Sequence, residues 1–438
     1  MRGKIYFLLL VIITAALNAA GCSSGGDGEI AGVNGELTPD FTDNSDNFLP
    51  EREKTKTPVL TDRTFLSSER YCIAGKGEEN SVIKITGGLY PAEAKITGGQ
   101  FIAEIFLEDQ TSRDIEIKIY AKSDGKDESE PLTFVISRRE SREGKPLYIG
   151  SDNQIHYNET IDDFLGRGLF NEGELELIKN GAENLRRRLI DEGLNTKLII
   201  FIAPNPGTIY PETMPVFLRE RIESENSRLK QLDELFKSSD SDSGLKFINP
   251  YDRLIREKEN YFLYNRTDTH WNELGAYFGY CEIFDYIGEF FPEAKPMPLE
   301  DFNIYRSVVR GGDLIPMLKF DQDEVTENAY AVRVKEPKIR GLHRHDTDEI
   351  PYQEQQYHGF LEYNNNDASK PSIIMYRDSF SISMLSPVAE TSNRIIFCNM
   401  WDYEINIDYI KEINPDFIII QRVERLIYDL PATFRRFR

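Results

Sequence analysis

Two periodicities divide the chain. From about residue 60 to 140, apolar and polar positions alternate: in "RDIEIKIYAK", Ile115, Ile117 and Ile119 fall on one side and Glu116, Lys118 and Tyr120 on the other. "NSVIKITG", "QFIAEIFLED" and "PLTFVISR" repeat the pattern, punctuated by "TGG", "TSRD" and "SDGKDES". A period of two between turn signals predicts strands with one buried face. No helical period interrupts them, so the spacing predicts an all-β sandwich over residues 58–142.

The texture then changes. Leu175, Ile178, Ala182, Leu185 and Leu189 recur at helical spacing and predict an amphipathic helix ending near Gly193. "KLIIFIAPN" follows as a continuous apolar run of strand length, as a strand buried on both faces requires. Similar runs recur at "LKFINP", "PSIIMYRD", "RIIFCN" and "DFIIIQR", with helical stretches between several of them. The pattern predicts an α/β region over residues 143–438: a mostly parallel sheet of about five strands with helices on both faces. The preceding sandwich is similar to bacterial immunoglobulin-like surface modules. It carries no chemical constellation, so a spacer or binding module is expected there.

The N-terminus reads as an address. Residues 1–21 have Arg2 and Lys4, then an apolar run, then small residues up to Cys22, the layout of a secretory signal. The run is short for a membrane span, which needs ~20 apolar residues. "AAGC" followed by Ser23 resembles a bacterial lipobox with Cys22 as the lipidated residue; the alternative is a plain signal peptide cleaved near Ala20. Residues 22–57, rich in Gly, Ser, Asp, Asn, Thr and Pro, read as a flexible linker. The expected location is extracytoplasmic, with the chain anchored to a membrane by lipid. A formal charge of −22 counts against nucleic-acid binding and suits neutral sugars or small molecules. Cys72, Cys281 and Cys398 fit no zinc spacing and are odd in number, so buried free thiols are expected.

In a parallel sheet, chemistry gathers beyond the carboxyl ends of the strands. "IIMYRDSFSISML" runs from an apolar strand into Asp378 and Ser379, which either cap the next helix or present a serine hydroxyl beside a backbone N–H. "TDTHWNELG" places Asp268 two residues before His270; in an extended segment both face one side. A carboxylate there can orient an imidazole that takes a proton from serine, or the segment is an exposed turn. Asn272 reads as the N-cap of the following helix, with Trp271 turned the opposite way. "GLHRHDTDEI" gathers His343, His345, Asp346, Asp348 and Glu349. That set can ligate a metal, but in a polar stretch without period it reads as a solvated loop, and neither metal nor cofactor is expected.

"DTHWNELGAY" followed by "DSF" after an apolar strand resembles the SGNH-like domain of bacterial polysaccharide O-acetyltransferases, the alginate O-acetyltransferase group and its DHHW-type relatives. "GLNTKLIIFIAPNPGTIYPETMP", "GGDLIPMLKF" and "NPDFIIIQRVERLI" match further segments in order, so the likeness spans roughly 145–438. The resemblance implies Ser379 as nucleophile, His270 as base and Asp268 as the orienting acid. It implies transfer of an acetyl group through an acetyl-serine to a polysaccharide hydroxyl, beside a membrane-embedded partner that supplies acetyl groups. Arg377 departs from the glycine often found in the family; a bulky residue there either restricts the turn or places a cation beside the site. Asn205, after the first apolar strand, is the other oxyanion or substrate candidate, and Glu424 and Arg425 read as a structural ion pair. Two alternatives stay open: a carbohydrate acetylesterase of the same fold, and a non-catalytic glycan-binding surface lipoprotein.

Overall fold

The alternating segments form two antiparallel sheets. β1 (Val59–Ser67), β2 (Arg70–Lys76) and β5 (Gln100–Phe106) make one, in that order. The other runs β4 (Ala92–Lys95), β3 (Val82–Thr86), β6 (Ile115–Lys122) and β7 (Leu132–Ile136). Phe65, Tyr71, Ile73, Phe101 and Ile105 from the first sheet meet Ile83, Ile85, Ile117 and Ile119 from the second in one apolar cluster. The period-two pattern thus turns each sheet's apolar face inward. In the computed structural model, residues 52–108, 114–137, 144–237, 244–338, 342–344, 360–401 and 404–438 are described. Cys22 and the leader and most of the linker, residues 1–51, lie outside them, as do His345, Asp346, Asp348 and Glu349. Among the described residues, no helix is long and apolar enough to cross a membrane.

A hairpin of β8 (Leu147–Ile149) and β9 (Ile155–Tyr157) leads into the α/β region. The five apolar runs become β10 (Lys197–Ala203), β11 (Leu245–Ile248), β16 (Ser372–Arg377), β17 (Arg394–Asn399) and β18 (Phe417–Val423). They lie in the order β11-β10-β18-β16-β17, every neighbouring pair parallel. β15 (Phe360–Asn364) and β14 (Leu342–Arg344), whose side chains are not described and which holds His343, extend the sheet to seven strands with antiparallel pairings. β12 (Phe302–Arg310) and β13 (Thr326–Val334) form a separate antiparallel pair.

Both faces of the parallel sheet are covered. Ile199, Phe201 and Ala203 of β10 face a cluster containing the helix Glu273–Ile287, while Leu198, Ile200 and Ile202 face the helices Glu172–Asp191 and Arg228–Lys237. The first of the two on that second face is fixed at its start by a capping box: Asn171 accepts from the Glu174 N–H while the Glu174 side chain accepts from that of Asn171. Cys72, Cys281 and Cys398 are buried and free.

The two regions share a further apolar cluster. Leu66, Cys72, Ala74 and Ile102 from the β-rich region pack with Leu147, Ile149, Ile155, Leu314, Ile315 and Leu318. Beside it, Arg70 pairs with Glu104; the Arg70 guanidinium donates to the Leu147 carbonyl at 2.9 Å, and Glu104 accepts the Ile149 N–H at 3.2 Å.

Candidate active site

Asp378 follows the last residue of β16 and caps a 3-10 turn that begins at Ser379. Its carboxylate accepts from the Phe380 N–H at 2.9 Å, the Gln421 amide at 2.8 Å and the Val423 N–H at 2.6 Å. The Asp378 N–H in turn donates to Gln421 Oε1 at 2.9 Å. Asp378 is therefore the cap, and the turn it fixes leaves Ser379 half-buried, its hydroxyl within reach of His270.

The segment before the helix Glu273–Ile287 is a bend and not an extended strand. Asp268 Oδ1 accepts from the His270 backbone N–H at 2.9 Å and lies 2.6 Å from His270 Nδ1. The two side chains share a side because one carboxylate folds back on its neighbour's backbone, and not through strand alternation. The bend is closed by the Tyr264–Trp271 bridge and by the Asn265 N–H, which donates to the His270 carbonyl at 3.2 Å. Asn272 caps the helix as expected, accepting from the N–H groups of Leu274 and Gly275.

The two segments meet. His270 Nε2 lies 2.7 Å from Ser379 Oγ, and its ring centroid is 4.9 Å from that of Phe380. With Nδ1 facing the Asp268 carboxylate, the neutral ring carries its proton on Nδ1 and leaves Nε2 to accept from the serine hydroxyl. Trp271 does turn inward, but not away from the site. Its indole N–H donates to the Phe380 carbonyl at 2.8 Å, tying the histidine segment to the serine turn.

Asp313, in "GGDLIPMLKF", joins the site without any motif of its own to announce it. Asp313 accepts from the Thr269 N–H at 2.8 Å and from its hydroxyl at 2.6 Å, and donates its own N–H to Asp268 Oδ2 at 3.1 Å. Its Oδ2 lies 3.8 Å from His270 Nδ1. Gly312 makes this approach possible, since a Cβ there would sit 2.3 Å from that of Asp268. Behind the bend, the buried Glu327 of β13 accepts from the backbone N–H groups of Arg266 and Thr267 and from the Thr267 hydroxyl.

Burial disfavours the His270 imidazolium, yet the bonded Asp268 carboxylate, with Asp313 beyond it, holds the ring's pKa above its usual value while Arg425 opposes them. Burial would raise Asp268, but the histidine beside it holds that carboxyl below the ordinary range. Asp313 is raised, by burial first and then by the Asp268 charge. Asp268, His270 and Asp313 each offer a ligand atom within 4.8 Å of the others, the spacing a metal ion needs. Here those atoms are engaged with one another, with Thr269 and with backbone N–H groups.

The remaining candidates sit around the strand ends. Asn205 is buried after β10; its backbone N–H donates to Glu424, its Oδ1 accepts from the Arg425 N–H at 3.3 Å and its amide nitrogen donates to Asp163 at 3.4 Å. Arg377, the last residue of β16, is 1% exposed. Glu424 and Arg425 do not pair with each other. Glu424 accepts the Asn205 N–H and the Thr208 hydroxyl, and burial, then the Asp163 charge, push it up to about 8. Arg425 lies over the Phe380 ring, 5.4 Å from its centroid. Successive residues of a 3-10 turn diverge by a third of a rotation, which separates the two charges.

Fold and strand-end geometry define the class: an α/β protein with an SGNH hydrolase-like domain, preceded by a β-rich region. Residues 171–347 match the family described as SGNH hydrolase-like domain, acetyltransferase AlgX. Asp268, His270 and Asp313 lie inside the matched segment and Ser379 beyond it. Among solved structures, Bacillus cereus PatB1 is similar with a TM-score of 0.49 and 16% identity, over 67% of this chain and 100% of that one. A DHHW family protein from Eubacterium siraeum gives 0.45 and 12%, over 73% and 95%. The O-acetyltransferase domain of Pseudomonas putida AlgJ gives 0.37 and 15%, over 65% and 92%. No curated protein matches the chain by sequence.

Proposed function

We propose that the chain is an extracytoplasmic serine-dependent O-acetyltransferase acting on hydroxyls of a cell-surface or secreted polysaccharide. The observation that carries this reading is the continuous contact from Asp268 through His270 to Ser379, at 2.6 and 2.7 Å. Proton transfer from a serine needs a base within about 3 Å. His270 Nε2 takes the Ser379 proton as Oγ attacks the acetyl carbonyl of the donor, and Asp268 steadies the imidazolium. Collapse of the tetrahedral intermediate breaks the bond to the donor's leaving group, which receives the proton from His270, and leaves acetyl-serine. A sugar hydroxyl then gives its proton to His270 and attacks the ester, so the acetyl group leaves on the sugar and Ser379 regains its proton. The Ser379 N–H, at the start of its turn, is the first donor for the oxyanion; Asn205 and Arg377 are the further candidates.

The match to an acetyltransferase domain favours a sugar hydroxyl over water in the second half-reaction. Lipidation at Cys22 would hold the enzyme beside a membrane partner that supplies acetyl groups. Incubation with a chromogenic acetyl ester tests the first half-reaction. Ser379→Ala and His270→Ala are each expected to lower kcat by roughly a thousandfold or more; equal turnover in wild type and both variants rejects the reading. Adding oligosaccharide acceptors then separates transfer, seen as acetylated sugar, from hydrolysis to acetate.

A further inference from the structure

Building on the serine reading above, the geometry points to Asp313 as a second positioning carboxylate. It locks the Asp268–Thr269–His270 bend and sets a second negative charge behind the imidazole. Three hydrogen bonds make the lock. Asp313 accepts the N–H and the hydroxyl of Thr269, the residue between the acid and the histidine, and its own N–H holds Asp268 Oδ2. Because the Thr269 proton goes to Asp313, the Thr269 oxygen faces His270 Nδ1 as an acceptor at 3.3 Å. Without Asp313, the Asp268 carboxylate would be held through Oδ1 alone, by the His270 backbone N–H and ring. With Oδ2 held by Asp313, Oδ1 stays aimed at the ring and Nε2 stays aimed at Ser379.

The charge also matters. Asp313 Oδ2 is 3.8 Å from Nδ1, near enough for an ionised carboxylate to favour the imidazolium that forms during attack. The charged groups that act on the ring are Asp268 and Asp313 on one side of the balance and Arg425 on the other. The Asp268 charge is felt by Glu327, and Tyr157 senses both Asp313 and Arg425. Removing the Asp313 charge therefore leaves Asp268 against Arg425, and the ring gives up its proton more readily.

Two readouts test this on the full chain: the pH profile of kcat/KM for p-nitrophenyl acetate, and titration of the His270 ring followed by ¹⁵N NMR, assigned with His270→Gln. Asp313→Asn should lower kcat on the order of 10- to 100-fold, as misplacement of a catalytic group does, with KM little changed. Its His270 inflection should move to lower pH. Asp313→Glu should keep the wild-type inflection while remaining slow, because it restores charge without geometry. Thr269→Val should also slow the reaction without lowering the inflection. A His270 titration in Asp313→Asn that coincides with wild type, or kcat unchanged in both Asp313→Asn and Thr269→Val while Ser379→Ala is inactive, overturns the proposal. The NMR titration needs no turnover, so a failed esterase assay counts against the serine reading and not against Asp313.

Discussion

At the scale of single residues, the site is governed by opposing charges around one imidazole. His270 must be neutral to accept the serine proton, and its pKa is held above the usual histidine value. Activity is therefore expected to rise with pH through an inflection above about 6.5. Arg425 pulls that inflection down, so Arg425→Gln should move the acid limb to higher pH, opposite to Asp313→Asn. A pH–rate profile that leaves the limb in place would detach Arg425 from the site. Asp268, His270 and Ser379 were legible because each residue type stands beside a strand or helix end with its own motif. Asp313 was not, because its meaning lies in a contact to Thr269 across 44 residues of sequence. Trp271 was read as turned the opposite way, because alternation could not foretell that a bend would turn its N–H onto the Phe380 carbonyl.

At the scale of elements, two loops converge because one of them lacks a side chain. Gly312 follows β12 and lets the next residue reach His270; the missing Cβ would also meet the Thr267 carbonyl at 2.7 Å. Gly312→Ala should displace Asp313 and lower kcat/KM about 100-fold, a cost of the kind an ångström of misplacement carries. Gly144→Ala is the matched control, its nearest neighbour being 3.8 Å away, and should be silent. Equal activity in both variants would show that the close approach is not needed. The five parallel strands were legible as uninterrupted apolar runs, since strands covered on both faces admit little else. β15 was not: "FLEYN" carries Glu362, whose charge is met by Arg394 of the neighbouring strand β17, a pairing invisible to a single-strand pattern.

At the scale of the whole molecule, the β-rich region buttresses the loops that carry Asp268, His270 and Asp313. Leu314 and Ile315, next to Asp313, are fully buried in the cluster that includes Ile102. The Gln100 side chain grips both ends of the short Glu324–Thr326 stretch, accepting from the Thr326 N–H and donating to the Glu324 carbonyl. β9 closes the arrangement by donating the Ile155 N–H to the Arg266 carbonyl at 2.7 Å. The period-two pattern announced these sheets but not this packing, because alternation reports which face is buried and not what covers it. Ile102→Ala is expected to lose about 2–5 kcal/mol of stability, the usual cost of truncating a buried aliphatic side chain. The midpoint for thermal loss of ester turnover should fall together with the β-sheet signal in circular dichroism. A turnover midpoint that stays at the wild-type temperature would show the catalytic region standing without the buttress.

The order of strands also sets a clock. β18 is the last of the sheet's strands in sequence, yet it is inserted between β10 and β16. The groups that clamp Asp378, and through it the serine turn, come from Gln421 and Val423, 43 and 45 residues later. A chain still emerging from the ribosome has Ser379 but neither the clamp nor the central strand. The turn that carries Ser379 can therefore be clamped only once residues 417–423 have been made and have inserted between their neighbours.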